Sequence, residues 1–261
     1  MLIQLDLCKI LQVTNNKKEW FAEWFDSPYY HILYGNRDYQ EAEFFLTNLI
    51  NRFKPNEDSS IIDLACGKGR HSIYLNSKGF QVTGVDLSSQ SIAEAKLSQN
   101  DSLKFEVRDL RNLNLPEEFD IALNLFTSFA YFDNLETDLL VLNQIKSILK
   151  PEGFLLIDFF NAKKVIDNLV CEESIERNGI LFHCKRSVVE GNIVKDIQFT
   201  DQGIHYQYQE KVQALTLADF EFLLAKVGFN LLDVFGAYDL SAFNQEASDR
   251  LIIIAQNTHA R

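Results

Sequence analysis

Short apolar runs alternate with amphipathic segments through the middle of the chain. Five of these runs predict β-strands because turn-forming residues bound them. They cover residues 60–64, 81–88, 103–107, 119–125 and 154–160. Between them, apolar residues recur at helical spacing, as in the segment that contains Leu139, Leu142 and Ile145. Strands that alternate with helices predict right-handed crossovers and a parallel sheet that is covered on both faces.

The pattern changes after residue 165. Long β-like runs at 180–189, 193–200 and 204–212 are joined by short glycine-containing turns, which predicts an antiparallel insertion. The α/β pattern then returns, with a helix that Thr216 caps and Gly228 ends. Two last strands follow at 231–235 and 251–255, and the loop after Gly236 is expected to reach the active side.

We therefore divide the chain into four parts: a helical lid segment at 1–56, a cofactor-binding core at 57–165, the insertion at 166–215 and a completion of the core sheet at 216–261. The first part carries aromatic residues at helical spacing between Trp20 and Phe25. Such a stripe indicates either core packing or, with the tyrosines that follow, a lid over a ligand.

The stretch from Ser60 to His71 has the build of a nucleotide-binding turn. A buried strand passes through Gly67 and Gly69 into a helix, whose first N–H groups have no intrahelical partners. Asp86 ends the second strand, where a carboxylate can accept hydrogen bonds from both ribose hydroxyls. Asp63 lies just before the turn, and its charge favours a cationic cofactor over a pyrophosphate.

Composition narrows the class of protein. The net charge of −12 argues against binding to nucleic acid or to an anionic membrane. Four cysteines stand without metal-ligand spacing, so we expect no metal site and free thiols. The first residues lack the features of a signal peptide, and we expect a cytoplasmic protein.

Four segments in order carry a resemblance: Asp63 to His71, Val85 to Ser88, Arg108 to Leu110, and Leu149 to Gly153. Together they resemble the motifs of class I methyltransferases that use S-adenosylmethionine. The resemblance implies a Rossmann-like, doubly wound α/β sheet of seven strands with the last strand antiparallel, and an antiparallel β insertion before the final helix.

The resemblance also implies which residues hold the cofactor. Gly67 and Gly69 would pass close to the methionine moiety, Asp86 would hold the ribose, and Asp109 and Leu110 would bind the adenine. Asp63, Ala65 and Leu87 would also contact the cofactor. The methyl-transfer side would be lined by Asn124, Leu125 and Phe126.

The flanking segments are similar to bacterial small-molecule methyltransferases, which include amino-sugar N-methyltransferases and glycine or sarcosine methyltransferases. In such proteins N-terminal tyrosines and an arginine cover the cofactor, which here implies Tyr29, Tyr34 and Arg37. The insertion would shape the acceptor pocket. Ala130 stands where a glycine is common in these relatives.

The function we expect is S-adenosylmethionine-dependent methylation of a small molecule, at an amine or otherwise at oxygen or carbon, by a monomer or homodimer. His71 is the candidate base, and no other catalytic residue is named. Three alternatives stay open: an NAD(P)-dependent oxidoreductase, a nucleic-acid methyltransferase and a non-catalytic protein that binds the cofactor. Titration with nicotinamide cofactors tests the first alternative, and a basic surface would indicate the second. A turnover screen tests the third.

Overall fold

The structure is a computed structural model, and it describes residues 19–35, 39–116, 118–132 and 134–258. Eleven strands are found in these ranges: β1 (Ser60–Leu64), β2 (Gln81–Asp86), β3 (Leu103–Val107), β4 (Phe119–Asn124), β5 (Leu149–Phe160), β6 (Glu172–Arg177), β7 (Ile180–Val189), β8 (Asn192–Asp201), β9 (Ile204–Gln213), β10 (Phe229–Phe235) and β11 (Arg250–Asn257). The helices are α1 (Trp20–Trp24), α2 (Pro28–Leu33), α3 (Tyr39–Phe53), α4 (Arg70–Ser77), α5 (Ser89–Ala95), α6 (Leu135–Ser147), α7 (Ala162–Asp167) and α8 (Leu217–Val227).

Seven of the strands form the main sheet in the order β10-β11-β5-β4-β1-β2-β3. Strands β1 to β5 pair in parallel, and β11 pairs antiparallel with both β5 and β10. The order reverses between β1 and β4, and open α/β sheets bind ligands at the carboxyl ends of the strands beside such a point. The predicted fold class is confirmed.

Apolar side chains cover both faces of this sheet. Helices α6 and α8 bury Leu142, Ile145 and Phe220 on one face, while α3 and α4 bury Phe45 and Leu75 on the other. The helix ends follow the sequence signals, since Thr216 and Asp219 form a capping box at the start of α8 and Gly228 ends it with φ of 77°. This packing fixes the strand ends at which the site lies.

The other four strands form a separate antiparallel sheet in the order β6-β7-β8-β9. The sequence predicted three of them, and β6 was missed because its charged residues hide the alternation. The N-terminal helices pack on this sheet through a third apolar cluster, in which Trp24, Phe182 and Phe199 are buried. Part of the aromatic stripe therefore belongs to a core, and that core joins α1 and α2 to the insertion.

Strand β5 begins earlier than predicted. It starts at Leu149, opposite Phe119, and its register against β4 shifts before Phe154 pairs with Ile121. A side chain at Gly153 would come within 2.9 Å of the Lys150 carbonyl, so this irregularity needs a glycine. In the ranges that the structure covers, no helix is long and apolar enough to cross a lipid bilayer.

Candidate active site

The turn after β1 bends through three residues in the left-handed region. Ala65, Gly67 and Gly69 have φ of 57°, 56° and 81°. The Gly67 N–H donates to Oδ2 of Asp86 at 2.8 Å, and the Ser88 N–H donates to Oδ1 at 2.8 Å. The Asp86 carboxylate therefore fixes the turn after β1 against the end of β2.

The two glycines of the turn differ in their surroundings. A Cβ at Gly69 would lie 2.6 Å from the Phe105 ring, whereas a Cβ at Gly67 would meet nothing within 4 Å. Gly69 therefore permits close packing between the start of α4 and β3. Gly67 leaves open space beside the turn.

Asp63 is a buried carboxylate near the end of β1, with 1% of its surface exposed. Its Oδ2 accepts a hydrogen bond of 2.6 Å from the Ser72 hydroxyl. Burial raises the pKa of Asp63 to about 7, and that hydrogen bond opposes the rise only in part. A cation bound beside it would favour its charged form.

A first cavity of about 280 Å³ opens at these strand ends, near the lower end of the roughly 300–1,000 Å³ typical of small-molecule sites. It brings together most of the predicted cofactor residues: Tyr34, Asp63, Ala65, Gly67, Asp86, Leu87, Asp109, Leu110, Leu125 and Phe126. His71, the candidate base, also lines it. Sequence reasoning missed several other lining residues: Phe21, Phe25, Asp26, His31 and Ser88.

Three predicted residues do not line the first cavity. The Tyr29 hydroxyl donates to Asp201 at 2.9 Å, and its ring packs on Phe199 of the insertion. Gly69 lies under Phe105 as described above. Asn124 is fully buried and donates to the Ser128 carbonyl at 3.2 Å, below the loop after β4.

A fourth predicted residue, Arg37, lies outside the described residues.

Asp109 is held by an arginine that the sequence did not single out. Arg111 donates to both carboxylate oxygens at 2.6–3.1 Å and also pairs with Glu19 at 2.7 Å. Partial burial raises the pKa of Asp109, but the hydrogen bonds and charge of Arg111 outweigh it and keep that pKa below its usual value. Asp109 is therefore a charged acceptor at the cavity wall.

The loop after β4 holds a strained conformation. Phe126, Thr127 and Ala130 have φ of 56°, 63° and 65°, in the left-handed region that favours glycine. Asp158 holds the loop, since its carboxylate accepts from the Phe126 N–H at 2.9 Å and its carbonyl from the Thr127 N–H at 2.9 Å. Strain of this kind clusters at functional sites.

Two half-buried polar groups support Asp158 from the C-terminal part of the chain. Arg250 Nε donates to it at 2.8 Å and the Tyr238 hydroxyl at 3.2 Å. Tyr238 comes from the loop after Gly236, which reaches the site as expected. The ring of Phe126 in turn stacks on His71, with centroids 4.9 Å apart.

A second cavity of about 500 Å³ adjoins the first. The same five aromatic residues line both, and we call them the aromatic boundary: Phe25, Tyr30, Tyr34, Phe126 and Tyr131. The insertion contributes Arg186, Lys195 and Glu210 to the lining of the second cavity. The site thus has two compartments that meet at an aromatic wall.

Comparison with known proteins decides the family. The family described as a methyltransferase domain matches residues 55–216, more than half of the chain. The chain belongs to this methyltransferase family. The predicted class of enzyme is thereby confirmed, and the oxidoreductase alternative is set aside.

Curated relatives extend the match in both directions. The glycine/sarcosine N-methyltransferase of Aphanothece halophytica is 27% identical over 93% of this methyltransferase and 90% of its own length. The dTDP-3-amino-3,4,6-trideoxy-alpha-D-glucopyranose N,N-dimethyltransferase of Streptomyces venezuelae is 24% identical over 77% of this chain and 89% of its own. A Bacillus subtilis relative is 35% identical, but the match spans 42% of this chain and 46% of that protein.

Among solved structures, an S-adenosylmethionine-dependent methyltransferase from Clostridium acetobutylicum superposes with a TM-score of 0.74. The two chains are 20% identical, and the superposition covers 88% of this methyltransferase and 96% of the other. At that identity the likeness concerns the fold alone.

Proposed function

We propose that this methyltransferase transfers the methyl group of S-adenosylmethionine, bound in the first cavity, to an amine of a small molecule in the second. The observation that carries the proposal is the aromatic boundary, because one wall between two adjoining cavities is where a transferred methyl group must pass. The relatives that act on glycine, sarcosine and an amino sugar support an amine acceptor.

The residues of the first cavity fit this cofactor. Asp63 is a buried carboxylate that gains its charge beside a cation, and the cofactor carries an ammonium group. Each Asp86 oxygen accepts one backbone N–H, and a carboxylate oxygen can accept a further hydrogen bond from a ribose hydroxyl. The open space beside Gly67 admits a ligand close to the backbone.

When bound, S-adenosylmethionine supplies an electrophilic methyl group on a positively charged sulfur. The chain then has to align the acceptor, exclude water and leave the amine unprotonated. The aromatic boundary serves the first two tasks, and aromatic rings also attract cationic groups. An amine can lose its proton to water, so no dedicated base is assigned, and His71 contacts Phe126 of the boundary instead.

The wild-type protein, incubated with S-adenosylmethionine and a panel of small amines, alcohols and phenols, tests the proposal. Mass spectrometry should detect S-adenosylhomocysteine together with an N-methylated amine. Products from alcohols or phenols alone would contradict the amine assignment. Cofactor binding without any product would favour the non-catalytic alternative. We further propose a cytoplasmic monomer or homodimer, which size-exclusion chromatography and fractionation test.

A further inference from the structure

Two cations stand directly opposite each other on the insertion sheet. Arg186 on β7 pairs in register with Lys195 on β8, which pairs in turn with Glu210 on β9. All three side chains line the second cavity. Like charges directly opposite on adjacent strands destabilise a sheet, so this arrangement needs negative charge nearby.

Two carboxylates match the two cations in number, with Glu173 beside Arg186 and Glu210 opposite Lys195. Arg186 forms an ion pair and a hydrogen bond with Glu173. Lys195 is 7% exposed, and within the described part of the chain no carboxylate forms an ion pair with it. A lysine is rarely buried to this degree without a charged partner.

The Tyr34 hydroxyl joins Lys195 to Glu210. Lys195 Nζ donates to this hydroxyl at 2.8 Å, and the hydroxyl donates to the Glu210 carboxylate at 2.8 Å. Glu210 also accepts from Trp24 Nε1 at 2.6 Å, so both of these hydrogen bonds to its carboxylate come from neutral donors. An ammonium group has three donors, and the Tyr34 hydroxyl engages one of those of Lys195.

We infer that Lys195, with Arg186 beside it, forms an anion subsite in the acceptor cavity, and that the acceptor is an amine that also carries a carboxylate or a phosphate group. The identity of the ligand as an amine and as the methyl acceptor rests on the proposed function. The binding of an anion by Lys195 and Arg186 does not depend on it. Tyr34 belongs to the aromatic boundary and contacts Lys195, so an anion held there lies one residue away from the wall between the cavities.

Binding can be measured without turnover, because Trp20 lines the second cavity and its fluorescence reports on occupancy. The full-length protein, saturated with S-adenosylhomocysteine, is titrated with two matched pairs: glycine against glycinamide, and O-phosphoethanolamine against ethanolamine. We expect the anionic member of at least one pair to bind roughly 10- to 100-fold more tightly, as loss of a charged hydrogen bond predicts. The pair that shows the preference identifies carboxylate or phosphate as the group.

The variants Lys195→Gln and Arg186→Gln should lose this preference and keep the affinity for the neutral member. The matched control is Lys185→Gln, since Lys185 neighbours Arg186 on β7 but is 69% exposed and pairs with Glu172 on the other face. It should behave as the wild type. If Lys195→Gln does not fold, as circular dichroism would show, Arg186→Gln carries the test.

Equal binding within both pairs by the wild type, or a preference that survives both substitutions, would overturn the anion subsite. Another result would contradict the proposed function without contradicting the anion subsite. If anionic amines bind through Lys195 but yield no N-methylated product, the subsite stands and the amine methyltransferase proposal fails.

Discussion

The backbone N–H of Gly67 donates a hydrogen bond of 2.8 Å to the carboxylate of Asp86. This contact joins the turn after β1 to the end of β2, so the residue proposed to hold the ribose also shapes the turn beside the methionine moiety. Changing Asp86 to Asn places an amide NH₂ where one of two N–H donors now points. We expect the affinity for S-adenosylmethionine to fall roughly 10- to 100-fold.

Calorimetric titration measures this change, with Asp101→Asn as the control because Asp101 is an exposed turn acid away from the cavity. An unchanged affinity in Asp86→Asn would show that the ribose site is misplaced.

Asp63 should make the stability of the protein depend on pH. Its pKa rises on folding from about 3.9 in an unfolded chain to about 7, so the protonated form favours the fold. The stabilising contribution is fully present below about pH 4 and is lost as the pH rises through 7. Between pH 5 and 8 the wild type should lose on the order of 3 kcal/mol more free energy of unfolding than Asp63→Asn. Urea denaturation at the two pH values measures the difference, and parallel losses would contradict the assignment.

Cofactor affinity should change with pH in the opposite sense. The ammonium group of the cofactor favours the ionised form of Asp63, so binding should tighten as the pH rises from 6 to 8. Calorimetry in buffers of different ionisation enthalpy should also detect proton release near pH 6. Asp63→Asn should remove both effects, and a dependence that persists in this variant would assign it to another group.

The two turn glycines should respond differently to alanine. Gly69→Ala adds a methyl group 2.6 Å from Phe105 in a left-handed backbone, and we expect a loss of roughly 3 kcal/mol in the free energy of unfolding. Gly67→Ala meets no neighbour and should lose about 1–2 kcal/mol from its backbone conformation alone. Urea denaturation of both variants makes the comparison, and equal losses would mean that Phe105 moves aside.

Asp158 should be more important for stability than its partner Tyr238. Asp158→Asn leaves the guanidinium of Arg250, 19% exposed, without its counter-charge, so we expect a loss of about 3–5 kcal/mol and a weakened hold on the loop at Phe126. Tyr238→Phe removes one hydroxyl and should cost about 1 kcal/mol. Thermal unfolding of the two variants tests which substitution causes the larger loss of stability. A larger loss in Tyr238→Phe than in Asp158→Asn would contradict the prediction.

The order of the main-sheet elements could be read from the sequence because each strand is a buried apolar run bounded by turns. Strand β6 and helix α7 were not predicted, since their burial depends on neighbours distant in the chain. The early start of β5 escaped for a similar reason, because residues 150–153 read as a turn, whereas Leu149 before them and Phe154 after them both pair with β4.

In the candidate site, too, some residues are marked by the local sequence and others are brought together only by the fold. Asp63, Asp86 and Asp109 could be found because each acid lies near the end of a predicted strand. Tyr29 and Tyr34 are close in sequence, yet only Tyr34 lines the cavities, because α2 turns the ring of Tyr29 towards Phe199. The pairs Arg111 with Glu19 and Lys195 with Tyr34 join residues that are distant in the chain, and no local pattern marks them.

A crystal structure of the protein with S-adenosylhomocysteine tests the central claim most directly. We predict that the ligand occupies the first cavity, with its ribose hydroxyls on Asp86, its amine facing Asp63 and its sulfur directed at the aromatic boundary beside Phe126 and Tyr131. A ligand bound elsewhere, or one whose sulfur faces away from the second cavity, would contradict the proposed path of methyl transfer.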